Sequence, residues 1–201
     1  MYNRTIRSLE NLRVIMSDEM IVEFCSPTLA GIKTGNLFSC ECFDYKQLVK
    51  DLRRINCILL DKGIKAIPIR YLNHRALIYI FRPSFLEKDL CDKDTSFLLK
   101  QLGYNVDNMS ECVKCLSEKL MALKSSKDFP HEIGLFLGYP YEDVKGFMEH
   151  KGECSKCIGC WKVYGDVSRA EDTFDRYRKC TSEYVSRFKE GMTLEQLAVC
   201  A

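Results

Sequence analysis

The amino-acid sequence predicts an α+β fold with a small antiparallel sheet and helices in its N-terminal half, a helical C-terminal half, and one shared core. Two apolar runs flank a short turn signal, which is typical of paired strands. Apolar residues recur at helical spacing through most of the remaining chain. No low-complexity linker separates the halves. We therefore place residues 1–105 in an α+β lobe and residues 106–201 in a helical lobe with a cysteine-rich loop, together one compact domain.

The first elements are a helix and a strand joined by a turn. Apolar residues between positions 11 and 24 recur in a pattern that predicts a helix, and Pro27 predicts its end because proline disfavours the helical conformation of the preceding residue. The segment PTLAGIK at 27–33 reads as a turn, and residues 36–42 read as a short strand.

A second helix and a hairpin follow. Residues 45–59 carry a helical stripe that Gly63 terminates. Residues 64–71 and 76–81 are strand-like and flank the dipeptide Asn73-His74, which predicts a hairpin turn. This order of elements predicts a sheet covered on one face by helices.

The second half of the chain is helical in pattern. Gly138 after one helix and Pro140 at the start of the next are in the usual positions of these residues at helix boundaries. We expect Phe129, Leu135, Phe136 and Trp161 to form the seam between the lobes. The predicted helices span residues 109–123, 130–137, 140–149, 168–188 and 193–199.

Composition excludes some classes of function. The chain has 201 residues, of which 46% are hydrophobic, and 30 Lys and Arg face 28 Asp and Glu. Without an excess of positive charge, we expect no nucleic-acid partner. No apolar run approaches the roughly 20 residues that span a bilayer, and charges interrupt the first twenty positions. We expect a cytoplasmic protein with no membrane partner.

Cysteine is the unusual component, with 12 residues in the chain. In a reducing compartment such residues are buried hydrophobic groups, metal ligands or redox groups rather than disulfides. Because exposed thiolates oxidise readily, this number of cysteines favours an anaerobic host.

The strongest chemical motif is Cys154-x-x-Cys157-x-x-Cys160. Two-residue gaps in a loop let thiolates converge on one ion or cluster, so these residues are candidate ligands of an iron-sulfur cluster or zinc. The fourth cysteine of a ferredoxin-type run is absent, and Cys180, then Cys25, are the candidates to replace it. Thiol redox chemistry and ordinary structural thiols remain open alternatives.

The PTLAGIK turn is a second candidate site. Its small residues permit close approach of a ligand, and Thr28 and Lys33 are suited to bind a carboxylate or phosphate. Cys25 lies just before the predicted helix end, where Lys33 would lower the pKa of its thiol. The alternatives are a plain helix-to-strand connection and a buried thiol.

The segment HEIGLFLGYP at 131–140 contributes further candidates. His131 is a candidate acid or base, although Leu135 stands where a zinc protease would have its second histidine. Tyr139, Trp161 and Tyr164 are suited to form an aromatic wall for a flat cofactor, or they belong to the core.

Several motifs in order carry a family resemblance. They are PTLAGIK at 27–33, FPHEIGLFLGYP at 129–140, EDVKGFME at 142–149 and WKVYGD at 161–166, and with them the chain resembles the DUF3793 family of uncharacterised proteins, mostly from anaerobic Firmicutes. The family commonly has an aromatic residue before the tryptophan, where this chain has Cys160. The resemblance implies a role in redox or iron physiology, with a redox protein such as flavodoxin as partner.

Two hypotheses result. The first is a cytosolic metal- or cofactor-binding accessory protein that uses the cysteine-rich loop. The second is a small enzyme that uses a cysteine thiolate near His131, in a pocket between the PTLAGIK turn and the HEIGLFLGYP helix.

Overall fold

A computed structural model describes residues 15–123, 125 and 128–200, and it confirms the α+β class. The helices are α1 (Asp18–Leu29), α2 (Tyr45–Leu59), α3 (Pro83–Cys91), α4 (Lys93–Gln101), α5 (Met109–Met121), α6 (Ile133–Phe136), α7 (Tyr141–Glu149), α8 (Val167–Lys189) and α9 (Leu194–Leu197). The strands are β1 (Gly35–Glu41), β2 (Lys65–Leu72), β3 (Arg75–Phe81), β4 (Cys157–Ile158) and β5 (Lys162–Val163). The predicted start of the first helix at position 11 lies outside the described residues.

The main sheet has the strand order β1-β3-β2, with both pairs antiparallel. Asn73 and His74 form the turn between β2 and β3 with φ angles of 49° and 58°. Two successive left-handed residues match the right-handed twist of a two-residue hairpin. The predicted hairpin turn is therefore confirmed.

Helices cover both faces of this sheet, so the prediction of one covered face is wrong. Ile78 and Ile80 point into a first core cluster with α1, α2, α8 and α9. Tyr79 and Phe81 point into a second core cluster with α3, α4, α5 and α6. The physical reason is visible in β3, where consecutive apolar residues place hydrophobic side chains on both faces.

The first helix continues through Pro27 to Leu29, so its predicted end before the proline is also wrong. Proline removes only one helical hydrogen bond here, and the helix resumes with the Ala30 N–H donating to the Ser26 carbonyl at 2.8 Å. The end of α1 is fixed by tertiary contacts: the buried Arg82 guanidinium donates to the carbonyls of Thr28 and Leu29 at 2.8 and 2.9 Å.

Residues on both sides of position 105 build the first and the second core cluster. The first includes Tyr184 and Leu194 from the C-terminal half, and the second joins the sheet to α5 and α6. The Tyr79 hydroxyl, on the sheet, donates to the Phe136 carbonyl in α6. Of the residues expected at the seam, Phe129, Leu135 and Phe136 lie in the second cluster, whereas Trp161 lies in a small third cluster with Val163 and Phe174.

Within the described ranges, no helix is both long enough and apolar enough to cross a membrane.

Candidate functional site

The site begins with the β4–β5 ribbon, a two-stranded hairpin in which Cys157 pairs with Val163 and Ile158 with Lys162. The ribbon packs on α7, where Gly146 permits the close approach. A Cβ at Gly146 would lie 2.5 Å from the Tyr164 Cβ, which is too short for a contact between carbons. Any side chain at position 146 would therefore push the ribbon away from α7.

Asp143 on α7 holds the ribbon in place. Its buried carboxylate accepts hydrogen bonds from Trp161 Nε1, the Tyr164 N–H and the Gly165 N–H, each at 2.7 Å. Hydrogen bonds to a charged acceptor are stronger than neutral ones. They fix the position of the Trp161 ring relative to α7.

Between the ribbon and the α6–α7 segment lies a cavity of about 300 Å³, which we call the aromatic cavity. This volume is at the lower end of the usual range of small-molecule sites. Its wall is mostly apolar, and it is formed by His131, Ile133, Gly134, Tyr139, Asp143, Val144, Phe147, Ile158, Gly159, Cys160, Trp161 and Lys162.

Stacked rings make the wall stiff. Trp161 stacks on Tyr139 with ring centroids 4.7 Å apart, and Phe174 meets Trp161 edge to face at 4.5 Å. His131 and Phe147 also line the cavity, with their ring centroids 4.7 Å apart. Of the three aromatic residues that were candidates for a wall, Tyr139 and Trp161 line the cavity. Tyr164 is not part of it, because it stacks on His150 and its hydroxyl donates to the Glu153 carbonyl at 2.9 Å.

Two lysines lie close to this wall. Lys162 Nζ, on the ribbon, is 5.9 Å from the Phe147 ring centroid and donates to the Gly152 carbonyl at 2.7 Å. Lys33 Nζ is 5.3 Å from the Tyr139 centroid and 5.7 Å from the Tyr177 centroid.

Lys33 is buried without a counter-ion in the part of the chain that the structure describes. Its residue is 7% exposed, and no hydrogen bond or ion pair reaches its ammonium from the described residues. Burial lowers the pKa of Lys33 to about 8, an effect that the nearby Cys25 and Cys160 thiols oppose. The carboxylate or phosphate that the sequence suggested as its ligand would supply the missing charge.

The predicted metal ligands do not converge. Within residues 15–123, 125 and 128–200, no three His, Cys, Asp or Glu side chains are grouped closely enough to hold an ion. Cys154 is exposed on a left-handed turn residue, Cys157 packs beside Val163 and Trp161, and Cys160 lines the aromatic cavity. Cys180 packs against the first core cluster from α8, where burial raises the pKa of its thiol to about 11. These residues, as placed, do not fit an iron-sulfur cluster or zinc.

The PTLAGIK turn does not form the expected pocket. Cys25 is 0% exposed inside α1, and burial raises the pKa of its thiol, which is the opposite of the predicted lowering. Thr28 is buried and its hydroxyl donates to Asn36 Oδ1 at 2.7 Å, which occupies the group proposed to bind a ligand. The aromatic cavity lies beside the ribbon, and His131 and Cys160 are among the residues that line it.

Three charged or aromatic residues of the cavity wall were not predicted from the sequence: Asp143, Phe147 and Lys162. Asp143 stands in the first turn of α7, where an acidic residue is expected for its favourable interaction with the helix dipole alone. Asp143 and Trp161 are far apart along the chain, so the sequence does not indicate the hydrogen bond between them. The motifs EDVKGFME and WKVYGD contain all three residues, but no spacing rule links them.

Comparison with known proteins gives a family but no characterised relative. A family model described as a protein of unknown function (DUF3793) matches residues 21–198, nearly the whole chain, which confirms the resemblance. No curated protein and no solved structure matches the chain.

Proposed function

The chain belongs to the DUF3793 family of proteins of unknown function, and from the geometry of its site we propose that it is an accessory protein that binds a flat organic molecule. The ligand lies in the aromatic cavity, against the stacked Tyr139 and Trp161 rings. The observation that carries the proposal is this cavity, with its apolar wall and few polar groups.

The wall has the properties of a preformed binding site. A largely apolar cavity with a few convergent polar groups is the usual form of a small-molecule site. Trp161 is held by Asp143 and by the edge of Phe174, so its ring is oriented before any ligand arrives. A fixed ring loses little conformational entropy on binding, which favours affinity.

The cavity supports an organic ligand as the bound group, because its wall is mostly apolar and has only a few polar side chains. A role in redox or iron physiology, a flavodoxin-like partner and a cytoplasmic location stay predictions from the resemblance and the composition. A flat redox-active ring is one kind of ligand that would unite them.

The single tryptophan of the chain provides a direct test. Because Trp161 forms part of the cavity wall, its emission should change saturably when naphthalenemethanol, a neutral flat probe, is titrated into the protein. Phe147→Ala removes another ring of the cavity wall and should weaken binding about tenfold, which corresponds to a loss of roughly 1.4 kcal/mol.

Phe97→Ala is the matched control. Phe97 is 62% exposed on α4 and does not line the cavity, so its removal should leave the affinity unchanged. A change in emission that does not saturate, or equal weakening by Phe97→Ala and Phe147→Ala, would contradict the proposal.

A further inference from the structure

The geometry points to an acidic ligand: we infer that the molecule bound in the aromatic cavity is a flat aromatic acid whose anionic group is held by Lys162 and stabilised by Lys33. This inference rests on the proposed function, because it names the charge of the ligand of the same site.

The cations of the site lie beside its aromatic wall. Lys162 lines the cavity, and its ammonium has three N–H donors, of which the Gly152 carbonyl occupies one. A ligand carboxylate at the ribbon side of the cavity can therefore accept from Lys162 without displacing that bond. His131, the other basic side chain in the wall, carries no negative charge that would repel an anionic ligand.

The carboxylate in the cavity wall already accepts three hydrogen bonds from the protein. Asp143 is the one carboxylate among the lining residues of the cavity in the described part of the chain. Three donors surround its two oxygens at 2.7 Å, one on Oδ2 and two on Oδ1. A cationic ligand would have to compete with these donors, and it would also face the Lys162 ammonium.

Lys33 places a second positive charge beside the aromatic wall, over the Tyr139 ring. It is 7% exposed, its ammonium lies over the ring of the cavity residue Tyr139, and no carboxylate of the described residues pairs with it. A buried cation without a partner is unfavourable, and an anion placed nearby offsets part of that cost. Because the surroundings have a low dielectric constant, the Lys33 ammonium attracts a ligand anion even when the Tyr139 ring separates the two charges.

Three probes with one ring system and three charges test the inference: naphthoate, naphthalenemethanol and naphthylmethylammonium. Isothermal titration of the full-length protein should give at least about tenfold tighter binding for naphthoate than for naphthalenemethanol, as expected for a charge-assisted hydrogen bond. Naphthylmethylammonium should bind most weakly.

Lys162→Met should weaken the binding of naphthoate at least about tenfold and so remove its preference over naphthalenemethanol. Lys156→Met is the matched control. Lys156 is an exposed lysine just before the same ribbon, and its Nζ likewise donates to a backbone carbonyl, that of Gly165 at 2.7 Å, but it does not line the cavity.

The outcomes separate the two proposals. If naphthalenemethanol binds as tightly as naphthoate, the acidic ligand is overturned and the proposed function stands. If none of the three probes binds, the proposed function fails as well. An equal loss of preference in Lys156→Met would overturn the assignment of the anion to Lys162. Should Lys162→Met fail to fold, the comparison of the three probes on the unmodified protein still decides the charge of the ligand.

Discussion

At the scale of single residues, Lys33 shows how a binding group lowers stability. Its ammonium lies 5.3 and 5.7 Å from the Tyr139 and Tyr177 ring centroids, with no carboxylate at hydrogen-bonding distance among the described residues. Two cation–π contacts compensate only part of the lost hydration. A residue that costs stability in the free protein is consistent with a role in binding an anion.

Replacing Lys33 with Met should therefore stabilise the protein, and the gain should depend on pH. The pKa of Lys33 is about 8 in the folded chain against an ordinary value of 10.5, so the folded state binds fewer protons between these two values. The penalty is complete below pH 8 and disappears as the pH rises to 10.5. We expect urea unfolding at pH 7 to show a gain of about 3 kcal/mol, because the difference between 10.5 and about 8 is worth about 1.4 kcal/mol per pKa unit.

The comparison is made between Lys33→Met and the unmodified chain at each pH. Burial raises the pKa of both Tyr139 and Tyr177 to about 12, and it also raises the pKa of the Cys25 thiol. These groups titrate in both proteins, so their contributions to the pH dependence of stability largely cancel in the comparison. Lys156→Met should show no gain at any pH, because that side chain is exposed. A gain from Lys33→Met that is the same at pH 7 and at 10.5 would rule out burial of the charge as its cause.

At the scale of elements, the ribbon and α7 act as one unit. Asp143 and Gly146 are one helical turn apart, the first binding the ribbon through hydrogen bonds and the second admitting Tyr164 against the helix. The cavity exists only while these contacts hold Trp161 and Lys162 in place. We therefore expect stability and ligand binding to change together at this contact.

Gly146→Ala tests this coupling. Alanine favours an isolated helix by about 1 kcal/mol, but its Cβ would meet the Tyr164 Cβ at 2.5 Å and force the ribbon outward. Overpacking of this kind costs about 1–3 kcal/mol. We expect a net loss of stability in thermal unfolding, together with weaker binding of naphthalenemethanol. Lys145→Ala, at an exposed position of the same helix, should change neither by more than about 0.5 kcal/mol. Unchanged or higher stability of Gly146→Ala would show that the ribbon can move without cost.

At the scale of the whole molecule, the main sheet is the middle layer between two groups of helices. The first core cluster depends on α8 and α9, and the second depends on α5 and α6, all from the C-terminal half of the chain. Removing that half would expose apolar side chains on both faces of the sheet. A three-stranded sheet that has lost part of the helical cover on each face has too little buried surface to be stable alone.

Residues 1–105 expressed alone should therefore not fold. We expect poorly dispersed amide signals in NMR spectra and no cooperative transition in urea, while the full chain shows both dispersion and cooperativity. A fragment of residues 1–105 with a cooperative transition would instead establish two independent domains.

Local sequence signals predicted most of the elements. The hairpin turn at Asn73 and His74, the end of the 45–59 helix at Gly63, and the short helices around Gly138 and Pro140 depend on backbone preferences of a few adjacent residues. Such preferences involve only a few consecutive residues, so they can be recognised in the sequence before the tertiary structure is known.

Pro27 and the cysteine-rich loop show where local signals failed. Helix α1 continues past Pro27 because Arg82, far away in sequence, satisfies the carbonyls at its end. The cysteine spacing permitted convergence, but pairing of β4 with β5 directs Cys157 towards Val163 and Phe174 while Cys160 reaches the cavity.

By itself, the sequence determined the α+β class, the family, most helix and strand positions, and the candidacy of His131, Tyr139, Trp161 and Lys33, because residue type and short-range periodicity carry that information. The tertiary structure alone decided which of these candidates meet. It buried Cys25 in α1, packed Cys180 against the first core cluster, and brought Asp143 to Trp161. The reason is physical: burial, unpaired charge and cavity shape arise from contacts between distant segments, and these depend on how helices pack on the sheet rather than on the spacing of residues along the chain.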